Sequence, residues 1–322
     1  MCGIWFSLGF PRDAKHIDLA SHRGPDGRGW RVFDTVQGQL ALGHRRLSVI
    51  DLSDAAAQPM SYADDRYWIT YNGEIYNYIE LREELAAAGF RFRTSSDTEV
   101  LLAAYAHWGE AALDRLVGMF AFVLWDGMAE TVFAARDRFA IKPLYFYVSA
   151  QGVAFASEIK QLAALPEFAA KLNLARAHDF LSAGIMDHTT ETMFDGVGQL
   201  QGGECVRLHL RCWGPTEALP VRRWYGIVEP GTLELCERSS AQRFAELLLE
   251  IQLHARERAH VEDAVALVVV GEFVGFLRCV IQLALEKLLG ARHLGEFPRE
   301  AGARFRQVEF LARRIEFFQQ GR

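Results

Sequence analysis

The sequence lacks the features that mark several large classes of protein. Its five cysteines are odd in number, widely spaced and without a C-x-x-C pair, which argues against a disulfide framework and against a cysteine-ligated zinc site. Lys and Arg are scattered and the net charge is −6, so the basic footprint of a nucleic-acid-binding protein is absent. We therefore expect no metal site, no nucleic-acid partner and a reducing, cytoplasmic location.

Long apolar runs are also missing. The start, Met1–Phe6, has neither the charged region nor the long apolar segment of a signal peptide. The most apolar stretch, 264–285, is interrupted by Glu272 and Arg278, and it therefore predicts no membrane span. What is present is a chain of 322 residues of which 50% are hydrophobic, enough for about two domains with cores of their own.

Short apolar segments separated by turn residues fill the chain as far as about Leu165. Two further segments, Tyr78–Ala88 and Asp97–Ala106, have apolar residues at helical spacing, and a Ser-Ser-Asp-Thr-Glu sequence at the start of the second resembles a helix cap. The pattern predicts an α+β domain in which helices cover packed antiparallel sheets. The predicted strands are Gly3–Leu8, Leu40–Ile50, Tyr67–Tyr71, Ala121–Trp125, Thr131–Ala135, Leu144–Val148 and Gly152–Ala156.

Cys2 is the most informative residue because it directly follows the initiator methionine. Removal of Met1 would expose its α-amino group, whose ordinary pKa is about 8. That amine could take the proton of the thiol and later give a proton to a leaving group. The alternative is a small residue that leads into a strand, and Cys2 alone would favour that interpretation.

Three other segments carry groups that could act on a polar substrate, each with a structural alternative. Arg46 offers a planar fork for a carboxylate, or it is a charge at a strand end. Asn72 and Gly73 could form an oxyanion hole, or the Asn-Gly pair is a hairpin turn. Asp97 could pair with an ammonium group, or it belongs to a helix cap.

Nine motifs that follow one another in a fixed order favour the functional interpretation of these residues. They are Cys2–Ile4, His22–Gly27, Arg46–Ser48, Asn72–Asn77, Ser96–Glu99, Gly118–Phe122, Arg136–Phe139, Lys142–Tyr145 and Ala156–Lys160. The ordered set resembles the glutaminase domain of glutamine-hydrolysing asparagine synthetases. These are class II glutamine amidotransferases with an N-terminal-nucleophile hydrolase fold. The resemblance covers residues 2–200 and implies a four-layer αββα sandwich.

The resemblance also implies a role for each site residue. Cys2 is the implied nucleophile, which attacks the side-chain amide of glutamine and forms a thioester. Asn72 and Gly73 are the implied oxyanion hole. The implied glutamine-binding residues are Arg46, Leu47, Ser48, Val49, Ile50, Asn72, Gly73, Glu74 and Asp97, with Arg46 on the α-carboxylate and Glu74 and Asp97 on the α-ammonium. No cofactor is expected for this hydrolysis. One departure is Ala140, where the family usually has glycine.

The resemblance ends in the second part of the chain. Family members pass ammonia to a domain that uses ATP and Mg and contains an S-G-G-x-D-S loop. A helix at Ser239–Arg258 and a strand at Ala266–Val270 fit such a domain, but Gly271–Phe276 contain no such loop and Glu272 opposes phosphate binding. We expect residues 201–235 to be a linker and the end of the glutaminase domain. Residues 236–322 are then a truncated or degenerate remnant, a partial and mostly helical α/β tail, for which a frameshift is one explanation.

The sequence thus predicts an enzyme that hydrolyses glutamine to glutamate and ammonia, in an asparagine synthetase-like setting. Asparagine synthesis is not expected of this chain alone, and its partner would be a separate synthetase domain or a second copy in a homodimer. The alternative is a non-catalytic glutamine-binding or scaffold subunit. A third hypothesis is another amidotransferase of the class with a sugar phosphate or phosphoribosyl acceptor, although the Gly73–Asn77 and Lys142–Tyr145 motifs fit asparagine synthetase better.

Overall fold

The computed structural model describes residues 1–10, 13–215 and 217–226. The chain divides into two units, Met1–Thr232 and Leu233–Arg322, and every described residue belongs to the first. The predictions made for 236–322, including the helix at Ser239–Arg258, therefore lie outside the described residues.

Strands and short helices alternate along the described chain. The strands are β1 (Gly3–Leu8), β2 (Gly27–Thr35), β3 (Gly38–Arg46), β4 (Met60–Tyr62), β5 (Tyr67–Ile75), β6 (Gly118–Asp126), β7 (Thr131–Arg136), β8 (Tyr145–Ser149), β9 (Gly152–Ala156), β10 (Val197–Gln199), β11 (Glu204–His209) and β12 (Val221–Arg223). The α-helices are α1 (Lys15–Asp18), α2 (Tyr78–Ala87), α3 (Asp97–Trp108), α4 (Ala112–Arg115), α5 (Ile159–Leu162) and α6 (Leu174–Ala183).

Two antiparallel sheets form the centre of the domain. The first has the strand order β10-β8-β9-β1-β3-β2 and the second β12-β11-β7-β6-β5-β4. In the first sheet β1 is central, with Trp5 opposite Gly43 on β3 and opposite Ala156 on β9. In the second sheet β5 pairs with β6 along its whole length, from Tyr67 opposite Asp126 to Ile75 opposite Gly118.

The side chains of neighbouring strand residues enter different cores, because they point to opposite faces of a sheet. Ile4, Phe6 and Leu8 lie in a core between the two sheets, together with Ala121 and Val123 of β6. The next residues along the strands lie in the outer cores. Trp5 packs with residues of α1 and α5, whereas Phe120 and Phe122 pack with α2 and α3. The layers are therefore α, β, β, α, which confirms the predicted α+β four-layer sandwich.

Polar contacts also join the two sheets where β3 crosses β5. The Thr70 hydroxyl donates to the Gly43 carbonyl at 2.8 Å, and His44 Nε2 lies 3.0 Å from the Tyr71 carbonyl oxygen. Both side chains are buried. Because buried polar groups are costly without partners, these two hydrogen bonds fix how the end of β3 lies against the middle of β5.

Most predicted elements are present, with two differences in the strands. Strands β1 and β9 have the predicted bounds. Strand β3 ends at Arg46, so residues 47–50 form a loop and not the end of a strand as predicted. The stretch predicted as linker and domain end contains β11 and β12, which pair with each other and, through β11, with β7.

Ala140 adopts a backbone conformation that favours glycine. Its φ is +56°, in the left-handed region, where an L-residue with a Cβ is disfavoured by about 1–2 kcal/mol. The substitution of the family's usual glycine is therefore accommodated with backbone strain. The loop is held by its neighbours, since Arg136 donates to the Ala140 carbonyl at 2.8 Å.

We expect His44→Gln to reduce the pH sensitivity of folding. Burial lowers the pKa of His44 from 6.5 to about 3, so at pH 5 the folded state keeps this imidazole neutral while the unfolded state protonates it. Stability from this residue is present above pH 6.5 and is lost as the pH falls, by about 2 kcal/mol between pH 7 and pH 5. Urea unfolding at both pH values should show a drop smaller by about that amount in the variant. An equal drop in both proteins would contradict the assignment.

Candidate functional site

Cys2 lies at the start of β1, beside the end of β3. The Leu47 N–H donates to Cys2 Sγ at 3.4 Å, and the thiol lies 3.7 Å from the Leu47 carbonyl oxygen. The strand register explains this contact. Gly3 is opposite Arg45 in an antiparallel pair, so Cys2, one residue earlier, lies next to the residues that follow Arg45. The thiol is half-buried.

The surroundings of the thiol favour its protonated form. Burial raises the pKa of the Cys2 thiol, and the nearby Asp97 carboxylate adds to this, against the opposing effects of the Leu47 N–H, the chain-terminal amine and Arg46. The thiolate is the nucleophilic form. A group that accepts the thiol proton is therefore needed before this sulfur can attack a substrate.

Arg46 ends β3 and is tied to the loop that follows it. Its guanidinium donates to the Ser53 carbonyl at 2.8 Å and also to the Asp51 carbonyl. Asp51 in turn accepts from the Ser53 N–H at 3.0 Å and from the Ser95 N–H at 2.8 Å. The predicted binding residues 47–50 therefore lie in a loop. The contact of Leu47 with Cys2 holds its start, and the hydrogen bond from Arg46 to the Asp51 carbonyl holds its end.

Asn72 and Gly73 lie within β5, opposite Ala121 and Phe120. The hairpin-turn alternative for this Asn-Gly pair is therefore wrong. Asn72 is 1% exposed, and among the described residues its Nδ2 has no hydrogen-bond partner. A Cβ on Gly73 would lie 2.6 Å from Tyr71 Cε2 and 2.8 Å from Phe120 Cα, and it would also strike the Met119 carbonyl. Only glycine fits the backbone at this position.

Asp97 begins α3 and is a buried carboxylate without a cation. Its Oδ2 accepts from the Tyr71 hydroxyl at 2.8 Å and from the Ile75 N–H at 3.0 Å. Burial raises its pKa although these hydrogen bonds oppose the rise. The cap is made by Ser96, whose hydroxyl oxygen accepts from the Thr98 N–H, so the carboxylate of Asp97 is not the cap. No Lys or Arg in the described part of the chain forms an ion pair with it.

Two further charged groups interact with this site: Glu74 with the Asp97 carboxylate, and Lys142 with Glu74 and the Cys2 thiol. Burial raises the pKa of Glu74, and the like charge of Asp97 raises it further. Burial lowers the pKa of Lys142, against the attraction of Glu74 and Cys2. Lys142 was predicted only as part of a motif, and Tyr71 was not predicted as a site residue. The position of Tyr71 directly before Asn72 was the available signal.

The structure thus brings together the groups that the sequence singled out. The chain terminus and the end of β3 contribute Cys2 and Arg46 from the first sheet, and the end of β5 contributes Asn72, Gly73 and Glu74 from the second. Asp97 joins them from α3 through its hydrogen bonds to β5. A thiol, an unpaired amide, a guanidinium and two carboxylates are the groups needed to hold an amino acid and attack its side chain.

Neither a metal-binding cluster nor a membrane-spanning helix occurs among the described residues. Over residues 1–10, 13–215 and 217–226 there is no group of three or more His, Cys, Asp and Glu able to hold a metal ion. No helix in that same part of the chain is long and apolar enough to cross a membrane. The segment Gly271–Phe276, which lacks the S-G-G-x-D-S sequence, lies outside the described residues.

The four-layer sandwich, with a cysteine at the start of a central strand, defines the class of N-terminal-nucleophile hydrolases. The sequence profile of one family, described as "Glutamine amidotransferase domain", matches residues 1–213. The chain belongs to this family, and the resemblance found in the sequence motifs is confirmed.

Curated relatives agree with this assignment. The chain is 53% identical over 141 residues to asparagine synthetase [glutamine-hydrolyzing] 1 of Bacillus subtilis, which is 44% of this chain and 22% of that protein. It is 36% identical over 213 residues to asparagine synthetase [glutamine-hydrolyzing] 3 of the same organism, which is 62% of this chain and 34% of that protein. The match thus spans about a fifth to a third of these relatives' length.

A solved structure supports the fold. The chain is similar to glutamine phosphoribosylpyrophosphate amidotransferase from B. subtilis, with a TM-score of 0.50 and 19% identity, over 70% of this chain and 50% of that one. At this identity the likeness concerns the fold alone.

Gly73→Ala should destabilise the domain, because the added methyl group would overlap the backbone of β6. We expect the free energy of unfolding to fall by about 1–3 kcal/mol, the usual cost of overpacking. Gly214→Ala is the matched control, since a Cβ there meets nothing within 4 Å, and it should change stability by less than about 0.5 kcal/mol. Urea unfolding of the two variants measures this, and equal stabilities would show that β5 does not approach β6 as described.

Proposed function

We propose that this chain hydrolyses glutamine to glutamate and ammonia through a thioester on Cys2. The observation that carries the proposal is the buried Asp97 carboxylate, which lies near the Cys2 thiol without a cationic partner among the described residues. An unpaired buried charge is costly. A substrate ammonium would relieve that cost. The Arg46 guanidinium has five N–H donors and gives one each to the Ser53 and Asp51 carbonyls, so donors remain for the carboxylate of the same amino acid.

The unpaired Asn72 amide supports the identity of the attacked group. A buried N–H donor without a partner also destabilises a protein. Asn72 Nδ2 and the N–H of Gly73 would donate to the oxygen that becomes negative when sulfur attacks a carboxamide. The family and its relatives, which are named for glutamine, make the glutamine side chain the best candidate for that carboxamide.

The steps balance with the chain's own groups. After removal of Met1, the Cys2 amine takes the thiol proton and the sulfur attacks Cδ of glutamine. The oxyanion collapses as the C–N bond breaks, and the amine gives its proton to the departing ammonia, leaving a thioester. Water then loses a proton to the amine and attacks the thioester, and glutamate leaves as the sulfur regains its proton. Each step uses side-chain and backbone groups, so no cofactor enters the hydrolysis.

The setting of this reaction is also part of the proposal. We assign the amidotransferase domain to residues 2–200, the linker and domain end to 201–235, and the remnant of a synthetase-like domain to 236–322. Because Gly271–Phe276 carry no S-G-G-x-D-S sequence, we assign ATP- and Mg-dependent asparagine synthesis to a separate synthetase domain in the cytoplasm. A second copy of the chain in a homodimer would be a structural partner only, since it lacks the same loop.

Cys2→Ala should abolish ammonia release from glutamine, because no other group would form the thioester. Cys212→Ala is the matched control, since its thiol is exposed and outside the site, and it should keep the wild-type rate. A coupled ammonia assay measures both, with intact mass confirming that Met1 is removed. Undiminished release by Cys2→Ala would contradict the mechanism. Calorimetric glutamine binding with no release by the wild type would favour the alternative, a non-catalytic binding subunit.

Asp97→Asn should raise the KM for glutamine at least tenfold, because the amide can still accept from Tyr71 but no longer neutralises an ammonium group. A tenfold change corresponds to about 1.4 kcal/mol of binding free energy. Glu99→Gln is the matched control: it is also buried on the first turn of α3, but it binds the backbone of Arg93 and Thr94. Steady-state kinetics should leave the KM of Glu99→Gln unchanged, and an equal rise in both variants would show that Asp97 acts only on folding.

A further inference from the structure

The motif Ala156–Lys160 has no part in the steps above, yet it forms a bracket around the start of β1. The Ile4 N–H donates to the Ser157 hydroxyl at 2.9 Å. The Ile4 carbonyl accepts from the Ser157 N–H and from Gln161 Nε2, each at 3.2 Å. Both Ser157 and Gln161 are fully buried. The residue two positions after the nucleophile is therefore held on both its N–H and its carbonyl.

The carbonyl of Cys2 itself is held by a second set of contacts. Arg23 Nε donates to the Cys2 carbonyl at 2.9 Å, and Arg23 Nη1 donates to Glu158 Oε1 at 3.1 Å. The same carboxylate oxygen lies 2.8 Å from His22 Nε2, and the other lies 2.8 Å from Lys160 Nζ. The Glu158 carboxylate thus orients Arg23, which binds the main-chain carbonyl of Cys2.

Glu158 is fixed in place and ionised. It caps α5, its N–H donates to the Gln161 side chain at 3.0 Å, and its own side chain accepts from the Gln161 backbone. Although burial opposes it, the hydrogen bonds from Lys160, Arg23 and His22 hold the pKa of Glu158 below its usual range. With 22% of its side chain exposed, the carboxylate is partly shielded from water, where a charged pair with Arg23 is stronger than on an open surface.

We propose that Glu158 is a positioning residue that acts through Arg23 to hold the main chain of Cys2, and with it the sulfur, at its place beside Leu47. The proposal rests on the proposed function, because a nucleophile must be held but a structural cysteine need not be. Glu158 has no contact with the groups assigned to glutamine. Its loss should therefore lower kcat and leave KM in place, since a misplacement of about 1 Å costs up to about a hundredfold in rate.

The test compares two Glu→Gln variants. Glu158→Gln keeps the size and the oxygen needed for the helix cap but removes the charge that holds Arg23. Glu110→Gln is the matched control, because Glu110 has 24% of its side chain exposed and pairs with two arginines, Arg207 at 2.7 Å and Arg222. We expect kcat to fall at least tenfold in Glu158→Gln with KM within twofold of wild type. Glu110→Gln should match wild type in both constants, and an equal loss of kcat in the two variants would overturn the proposal.

Three further variants, Arg23→Lys, Arg23→Gln and Arg23→Gln/Glu158→Gln, separate positioning from a general loss of stability. Arg23→Lys keeps the charge but loses the fork that joins the Cys2 carbonyl to Glu158, and it should lower kcat in the same way. In the double variant Arg23→Gln/Glu158→Gln, kcat should fall no more than twofold below that of Arg23→Gln alone, because the two residues act in series. Effects that multiply in full would overturn the proposal.

Hydrogen exchange tests the anchor without glutamine. The peptide covering residues 2–8 should exchange at least threefold faster in Glu158→Gln than in wild type, whereas Glu110→Gln should leave it unchanged. If wild type releases no ammonia but this difference appears, the proposed function fails and the anchoring role of Glu158 stands. If the peptide exchanges alike in all three proteins, the anchoring role itself is overturned.

Discussion

A chain terminus held at the centre of a sheet is the constraint on which the rest of the site depends. Ends of chains fray unless they are tied down, and the thiol at residue 2 is only one residue from the end. Strand β1 solves this by pairing with β3 on one side and β9 on the other, with Ile4 and Phe6 packed between the sheets and Trp5 packed under α1 and α5. The packed core therefore helps to fix the main chain that carries the sulfur.

Among the described residues around Cys2, the buried Asn72 amide lacks a hydrogen-bond partner, and the buried Asp97 carboxylate, although hydrogen-bonded, lacks a cation. The Asn72 amide has no partner among the described residues, and the pKa values of Glu74 and Asp97 are raised by burial. Native structures contain few such groups, and each calls for an explanation. A zwitterionic substrate with a carboxamide would give the Asn72 amide an acceptor, the carboxylates an ammonium group and the Arg46 guanidinium a carboxylate. Its binding would therefore offset the energetic cost of burying these groups, in line with the proposed function.

The sequence predicted the apolar strands well and the polar connections poorly. Strands β1 and β9 are buried on both faces, so their apolar runs gave the correct bounds. Strand β2 was missed because its Gly27–Thr35 sequence is half-buried and mixed in polarity. The segment that forms β11 was assigned to the linker because glycine and proline turn residues surround it. The site residues came from ordered motifs. The contact of Arg23 with the Cys2 carbonyl and the positive φ of Ala140 depend on tertiary structure, which no local pattern encodes.

The way in which the two sheets are joined determines how the stability of the protein responds to added salt. Their shared core is apolar, and the polar bridge at its edge uses Thr70 and a His44 whose pKa of about 3 keeps it neutral. Counterions screen interactions between charges, but they do not weaken apolar packing or hydrogen bonds between neutral groups. The outer strands of the second sheet differ, because Glu110 binds Arg207 of β11 and Arg222 of β12 near the surface. Added salt therefore weakens the contacts of β11 and β12 at the margin of the second sheet, whereas the apolar core and the Thr70 and His44 hydrogen bonds keep their strength.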